Sequence, residues 1–144
     1  MRNGGDSRVP QMDIEVLRET FDLAARSTSA GEARHRSLAW LARHSVGQQA
    51  AETAVLVVSE FVTNAVVHSG SAVVRCSLLL AGSLLRVEVT DQGASHTSPA
   101  IRHAAADETS GRGLLLVSTI AEAWGAFPVL PSGWTVWATV RTTT

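Results

Sequence analysis

The chain has 144 residues, 45% of them apolar and 17% charged, with a formal net charge of -1; this suits one folded domain with a sizeable core and excludes the low-hydrophobicity, high-charge regime of disordered chains. Its twelve basic residues are all arginines, scattered singly or in loose pairs such as Arg34 and Arg36, so no run neutralises successive phosphates and nucleic acid is not an expected partner. The absence of lysine removes a Walker A loop, and the single cysteine, Cys76, rules out an internal disulfide and a thiolate-rich zinc site.

Residues 1–12 hold Gly4, Gly5 and Pro10 without periodicity, so a flexible leader is expected there and one domain from residue 13 to 144. Thr20 to Ala24 reads as a short edge strand. Ser29-Ala30-Gly31-Glu32 has the form of a capping box opening a helix to about His44, with Leu38, Leu41 and Ala42 as its apolar face. A second helix runs from Gln48 to His68 and ends at Gly70. Ala54, Val58, Phe61, Val62, Ala65 and Val66 share one half of it; Glu52, Thr53, Ser59, Glu60, Thr63 and Asn64 share the other.

Ala72–Leu80 and Leu84–Asp91 read as two strands joined by hairpin residues Ala81, Gly82 and Ser83. In the second of them Leu85, Val87 and Val89 point one way, and Asp91 continues that apolar parity. From Gln92 to Ser110 the pattern dissolves into a loop, long for so small a domain and therefore a functional candidate. Gly111-Arg112-Gly113 then leads into a third, apolar helix from Leu114 that stops near Trp124-Gly125, and Trp134–Arg141 forms a last strand after Pro131-Ser132-Gly133. The most apolar window, residues 54–67, is interrupted by Glu60 and Asn64 and is shorter than the roughly 20 apolar residues of a bilayer span. No apolar signal region opens the chain, so no membrane association is expected and a cytoplasmic location is.

Several residues carry candidate chemistry, each with a plain structural alternative. A carboxylate aimed at the core, as Asp91 is, costs several kcal/mol unless donors satisfy it. It either caps the turn that follows its strand or reads a ligand's donor, with Gly93 allowing a flat ring near the backbone. Glu60, Asn64 and His68 are four apart and form one helical ridge. Glu60 and Asn64 either belong to a solvated helix face or act as a pair, with an amide oxygen for Mg2+ and a carboxylate one turn away to take a proton. Gly111, Arg112 and Gly113 are either a loop hinge or a set of backbone N–H groups offered to an anion at a helix start. His68 reads as a helix-end partner, and His96 and His103 lack the spacing of a metal site.

Taken in order, Glu60-x-x-x-Asn64-Ala65, Asp91-x-Gly93 and Gly111-Arg112-Gly113-Leu114 resemble the N, G1 and G2 boxes of the GHKL ATPases, the superfamily of gyrase and histidine-kinase ATP-binding domains. SEFVTNAVVHS, VTDQG, GRGLLLVSTIAEAWG and GWTVWATV resemble its stand-alone anti-sigma-factor and serine-protein-kinase branch. The match covers about Ser27 to Val140.

The resemblance implies a Bergerat ATP-binding fold: an α/β two-layer sandwich of a mixed, mainly antiparallel sheet backed by three helices. It also implies roles. Asn64 would hold Mg2+, Glu60 would be the general base, Asp91 would accept from the adenine amino group, and Gly93 would lie beside the ring. Gly111 and Gly113, with Arg112 and Leu114 between and after them, would meet the phosphates, and residues 94–110 would form a lid. The implied cofactors are ATP and Mg2+, and the implied partners a sigma factor and a STAS-type anti-sigma-factor antagonist phosphorylated on serine, with a possible homodimer. A nucleotide-gated binding module without phosphotransfer is the alternative. One departure stands out: the superfamily often has an adenine-side threonine directly after the last glycine, whereas here Trp134 follows Gly133 and Thr135 stands one place later, so Thr135 is left unassigned.

Overall fold

A computed structural model describes residues 15–93 and 112–143, with side chains in the second stretch from residue 115. The elements are β1 (Val16–Ala24), α1 (Ser29–Arg43), α2 (Gln48–His68), β2 (Val73–Ala81), β3 (Leu84–Asp91), α3 (Arg112–Ile120), β4 (Ala123–Pro128) and β5 (Trp134–Arg141). The strands form one sheet in the order β1-β2-β3-β5-β4. The fold is the expected α/β sandwich, three described helices on a five-stranded sheet. Each of the four described pairings is antiparallel, so the parallel pair anticipated by a mixed sheet is not among them.

Alternation decides what the sheet buries. Val74, Cys76 and Leu78 of β2, Leu85, Val87 and Val89 of β3, and Val136, Ala138 and Val140 of β5 face the helices and are buried. α2 lies across β2, β3 and β5 and packs against α1 and α3. Ala54, Val57, Val58, Phe61 and Val62 on its inner side have no solvent exposure. By length and composition α2 meets the minimum for a membrane span. Here those apolar residues are the core, between the sheet and α1.

The opposite face of the sheet carries paired polar groups. Thr20 and Ser77 hydroxyls lie 3.0 Å apart and those of Thr90 and Thr135 2.7 Å apart. Arg75 holds Asp22 across β1 and β2 at 2.8 Å, and Arg86 bonds Glu88 at 2.7 Å while lying 4.4 Å from the Trp137 ring centroid.

Four expectations change. β1 is nine residues long, not a short Thr20–Ala24 strand, because it pairs with the whole of β2. The capping box does not form. Thr28 is the N-cap of α1 without a side-chain cap, while Ser29 turns back, accepting from the Arg26 N–H at 3.2 Å and donating to the Ala24 carbonyl. The face α1 buries is Ala33, Ser37, Trp40 and Leu41; Leu38 and Ala42 lie about 100° round the helix and are exposed. Finally, the third helix stops at Ile120, and Ala123–Pro128 is an additional strand. Its apolar character comes from pairing with β5, where Trp124 and Ala126 face the core beside Ala138 and Val136.

The hairpin and the last strand match expectation closely. Gly82-Ser83 closes β2 onto β3 through the Ala81–Leu84 pair, and Gly82 has φ +59°, the left-handed conformation that a two-residue turn needs at its first position. Gly133, before β5, has φ +111°, and a Cβ there would lie 2.1 Å from the Asp91 carbonyl oxygen. Gly133→Ala therefore meets both a strained backbone and a collision, and should lower unfolding free energy by about 3 kcal/mol in urea titration. Gly31→Ala, in the open face of α1, should be neutral or stabilising by up to about 1 kcal/mol. Equal effects at the two positions would contradict the packing described.

Candidate functional site

The helix α2 sets the first side of the site. Successive residues four apart climb about 6 Å along an α-helix and stay on one face, so Glu60, Asn64 and His68 form a ridge toward its C-terminal end. Burial changes along that ridge. Glu60 is partly exposed, and Asn64 is only 3% exposed although the helical projection puts it with the polar residues. Arg34 of α1 donates to the hydroxyl of Ser59, the residue before Glu60, at 2.9 Å, tying the two helices together beside the carboxylate.

The end of β3 sets the second side. Asp91 follows the parity of Leu85, Val87 and Val89, faces the helix layer, and is 4% exposed. Its Oδ1 accepts the Gly93 N–H at 3.0 Å, so the turn-capping role is present.

What holds this segment at the end of α2 is backbone contact. A Cβ at position 93 would lie 1.8 Å from the Ser69 carbonyl oxygen, and Ser69 is the C-cap of α2. Only glycine permits that approach. Gln92 is held from both sides: its N–H donates to the Ser71 hydroxyl at 3.0 Å, and its carbonyl accepts from the Ser132 hydroxyl at 3.2 Å. Gly133 closes the other flank against the Asp91 carbonyl. Asp91 is thus fixed between the end of α2 and the turn that opens β5.

The structure therefore sets Asp91 and Gly93, on the helix-facing side of the sheet, against the C-terminal end of α2, the helix that carries Glu60 and Asn64. Arg112, Gly113 and Leu114 form the first residues of α3, which thus begins two residues ahead of the expected start at Leu114. Gly111, the lid at 94–110, His96 and His103 lie outside the described residues. Thr135 is directed to the opposite face, where it meets Thr90, and does not share a face with Asp91. The residue that does is Trp134, paired directly with Asp91 in the β3–β5 register. In the sequence Trp134 stands out only as a departure; its parity with Val136, Ala138 and Val140 is the signal that places it.

Among the described residues no group of three or more His, Cys, Asp or Glu side chains could hold a metal ion. A cation here would have to be shared with a ligand, and one neutral carboxamide with a carboxylate a turn away suits Mg2+, which keeps waters and leans on phosphates. Cys76 offers no nucleophile: burial pushes its thiol up to about 12, so it stays protonated at neutral pH.

Comparison with known proteins agrees with this architecture. A family model for the histidine kinase-like ATPase domain matches residues 23–139. Among solved structures, the RsbU and RsbW domains of Rv1364c from Mycobacterium tuberculosis superpose with a TM-score of 0.65 at 23% identity, over 87% of this chain and 32% of that one. The chain thus spans about a third of the length of that structure, and at this identity the likeness is one of fold. No curated protein matches.

Removing the Asp91 acceptor separates its structural part from any other. Asp91→Ala should cost about 1 kcal/mol of stability through the lost bond to the Gly93 N–H, and Asp91→Asn, which keeps an oxygen acceptor, clearly less. Indistinguishable urea midpoints for the two variants would show that this bond does not hold the turn.

Proposed function

The chain belongs to the family of histidine kinase-like ATPase domains, and we propose that it binds ATP with Mg2+ and transfers the γ-phosphoryl group to a seryl hydroxyl of a partner protein, as an anti-sigma-factor kinase. The observation that supports this reading is the close approach of Gly93, two residues after a buried, inward-facing Asp91, to the end of the helix that carries a buried Asn64 and, one turn earlier, a partly exposed Glu60.

The roles follow from the chemistry of each group. A carboxylate accepts several hydrogen bonds at once, so an inward-facing Asp91 suits the exocyclic amine of adenine. Gly93 keeps the backbone beside it free of a side chain. Asn64 supplies a neutral oxygen for Mg2+, which when bound offsets the charge on the phosphates. The start of α3 at Arg112 and Gly113, preceded by Gly111, offers backbone N–H groups to an anion.

Glu60 is exposed enough for an incoming hydroxyl to reach and near enough to Asn64 to act where the phosphates end. In the transfer step Glu60 takes the seryl proton and the seryl oxygen bonds to the γ-phosphorus. The bond from that phosphorus to the β–γ bridging oxygen breaks, and ADP leaves with that electron pair. A sigma factor as binding partner and a STAS-type antagonist as phosphoacceptor are supported by the anti-sigma-factor-like sequence boxes. The similarity in fold to a structure containing domains named RsbU and RsbW supports them further.

Glu60→Ala should retain Mg-ATP binding within about threefold by calorimetry and lose phosphoryl transfer to an antagonist protein by about 10²-fold or more, the usual contribution of a positioned base. Transfer at the wild-type rate would refute Glu60 as the base. Nucleotide binding by wild type with no transfer to any antagonist, sigma-factor binding still responding to ATP, would favour a nucleotide-gated binding module.

A further inference from the structure

The geometry points to Trp134 as a wall of the base-binding end of this site, a flat aromatic surface beside Asp91 against which the heteroaromatic ring of the nucleotide packs. This rests on the reading of the site as a nucleotide pocket and adds to it a residue outside the N, G1 and G2 boxes.

Register places the side chain. Trp134 is the direct partner of Asp91 in the antiparallel β3–β5 pair, so the two project from the same face with Cβ atoms about 5 Å apart. That face is the helix side of the sheet, since Val136, Ala138 and Val140 continue the parity of Trp134 into the core. On its other flank Trp134 pairs with Pro128 of β4. The start of β5 has little freedom to move away, because Gly133 lies against the Asp91 carbonyl.

Exposure marks Trp134 out. Val136, Ala138 and Val140 are each at most 4% exposed, whereas Trp134 keeps an intermediate exposure at the end of the row. A partly uncovered indole directly beside a buried carboxylate combines two recognition elements: a π-face for stacking and an acceptor for an amine on the rim of the stacked ring. Purines with an exocyclic amine present both together. Base–aromatic stacking is sequence-tolerant and strong enough to be read in affinity.

Four tryptophans are present in the chain, and the variants are chosen to isolate one. With the full chain, Mg-ATP should change the intrinsic fluorescence. Trp134→Phe should abolish most of that change while keeping affinity within about threefold, because a ring remains. Trp134→Ala should weaken Mg-ATP and AMP alike by about tenfold in calorimetry. Inorganic triphosphate, which has no ring, should bind wild type and Trp134→Ala equally, a pattern that general damage to the fold would not produce.

A full fluorescence response in Trp134→Phe, or wild-type or tighter Mg-ATP binding by Trp134→Ala, would overturn the assignment while leaving the nucleotide pocket standing. Equal losses of Mg-ATP and triphosphate binding would overturn it too. A wild-type chain that binds no nucleotide would remove both the pocket and this wall.

Discussion

Two glycines without room for a side chain hold the end of β3 in place, and the candidate site depends on them. Gly93 abuts the carbonyl of Ser69, the C-cap of α2, and Gly133 abuts the carbonyl of Asp91. Each contact is backbone against backbone, so its geometry is set by chain path and not by rotamer choice. Between them Gln92 is bonded through its N–H to Ser71 and through its carbonyl to Ser132. A carboxylate buried at the end of an interior strand is costly unless donors satisfy it, and this double clamp fixes the turn whose Gly93 N–H is one such donor. It also links, through one short segment, the C-terminal end of α2 and the turn into β5.

Given that clamp, the gradient of burial along α2 acquires chemical meaning. The helix has one side in the core and carries its polar ridge across the border, so that a buried carboxamide at Asn64 follows a partly exposed carboxylate at Glu60. A dry, neutral oxygen and a wetter, ionisable group one turn apart suit different chemistry. The first can share a hard cation with phosphates, and the second can exchange a proton with an arriving hydroxyl. Neither arrangement would follow from a helix that was apolar all round or polar all round.

Much of this is legible in the residues. The period of α2 and the Gly70 stop give its bounds, and alternation in β3 is enough by itself to identify Asp91 as inward-facing. The limits of β5 and the hairpin turn follow from glycine and proline punctuation. What sequence misses is decided by partners far along the chain. β1 is long because β2 offers nine residues to pair with. β4 reads as the tail of a helix because Trp124 and Ala126 suit either period, and only the neighbouring β5 settles the matter. Leu38 and Ala42 fall on the wrong side of α1 because three apolar residues cannot fix the phase of a helix whose buried row includes Ser37. In sequence terms a ligand ring accounts for the glycine at 93, yet Ser69 requires it whatever binds. The relative importance of Trp134 and Thr135 needs the register, which pairs the first with Asp91 and sends the second to the far face.

The central claim is that the clamped carboxylate of Asp91 reads an amine on a bound purine, and a comparison of two ligands on two proteins tests it directly. Dissociation constants would be measured for Mg-ATP and for the triphosphate of unsubstituted purine riboside, which lacks the exocyclic amine, on wild type and on Asp91→Ala. The account predicts that wild type prefers ATP by about tenfold or more, as expected for a hydrogen bond to a charged acceptor, and that the preference collapses toward unity in the variant. The same ligand preference in both proteins would contradict it, because the amine would then be recognised by something other than Asp91.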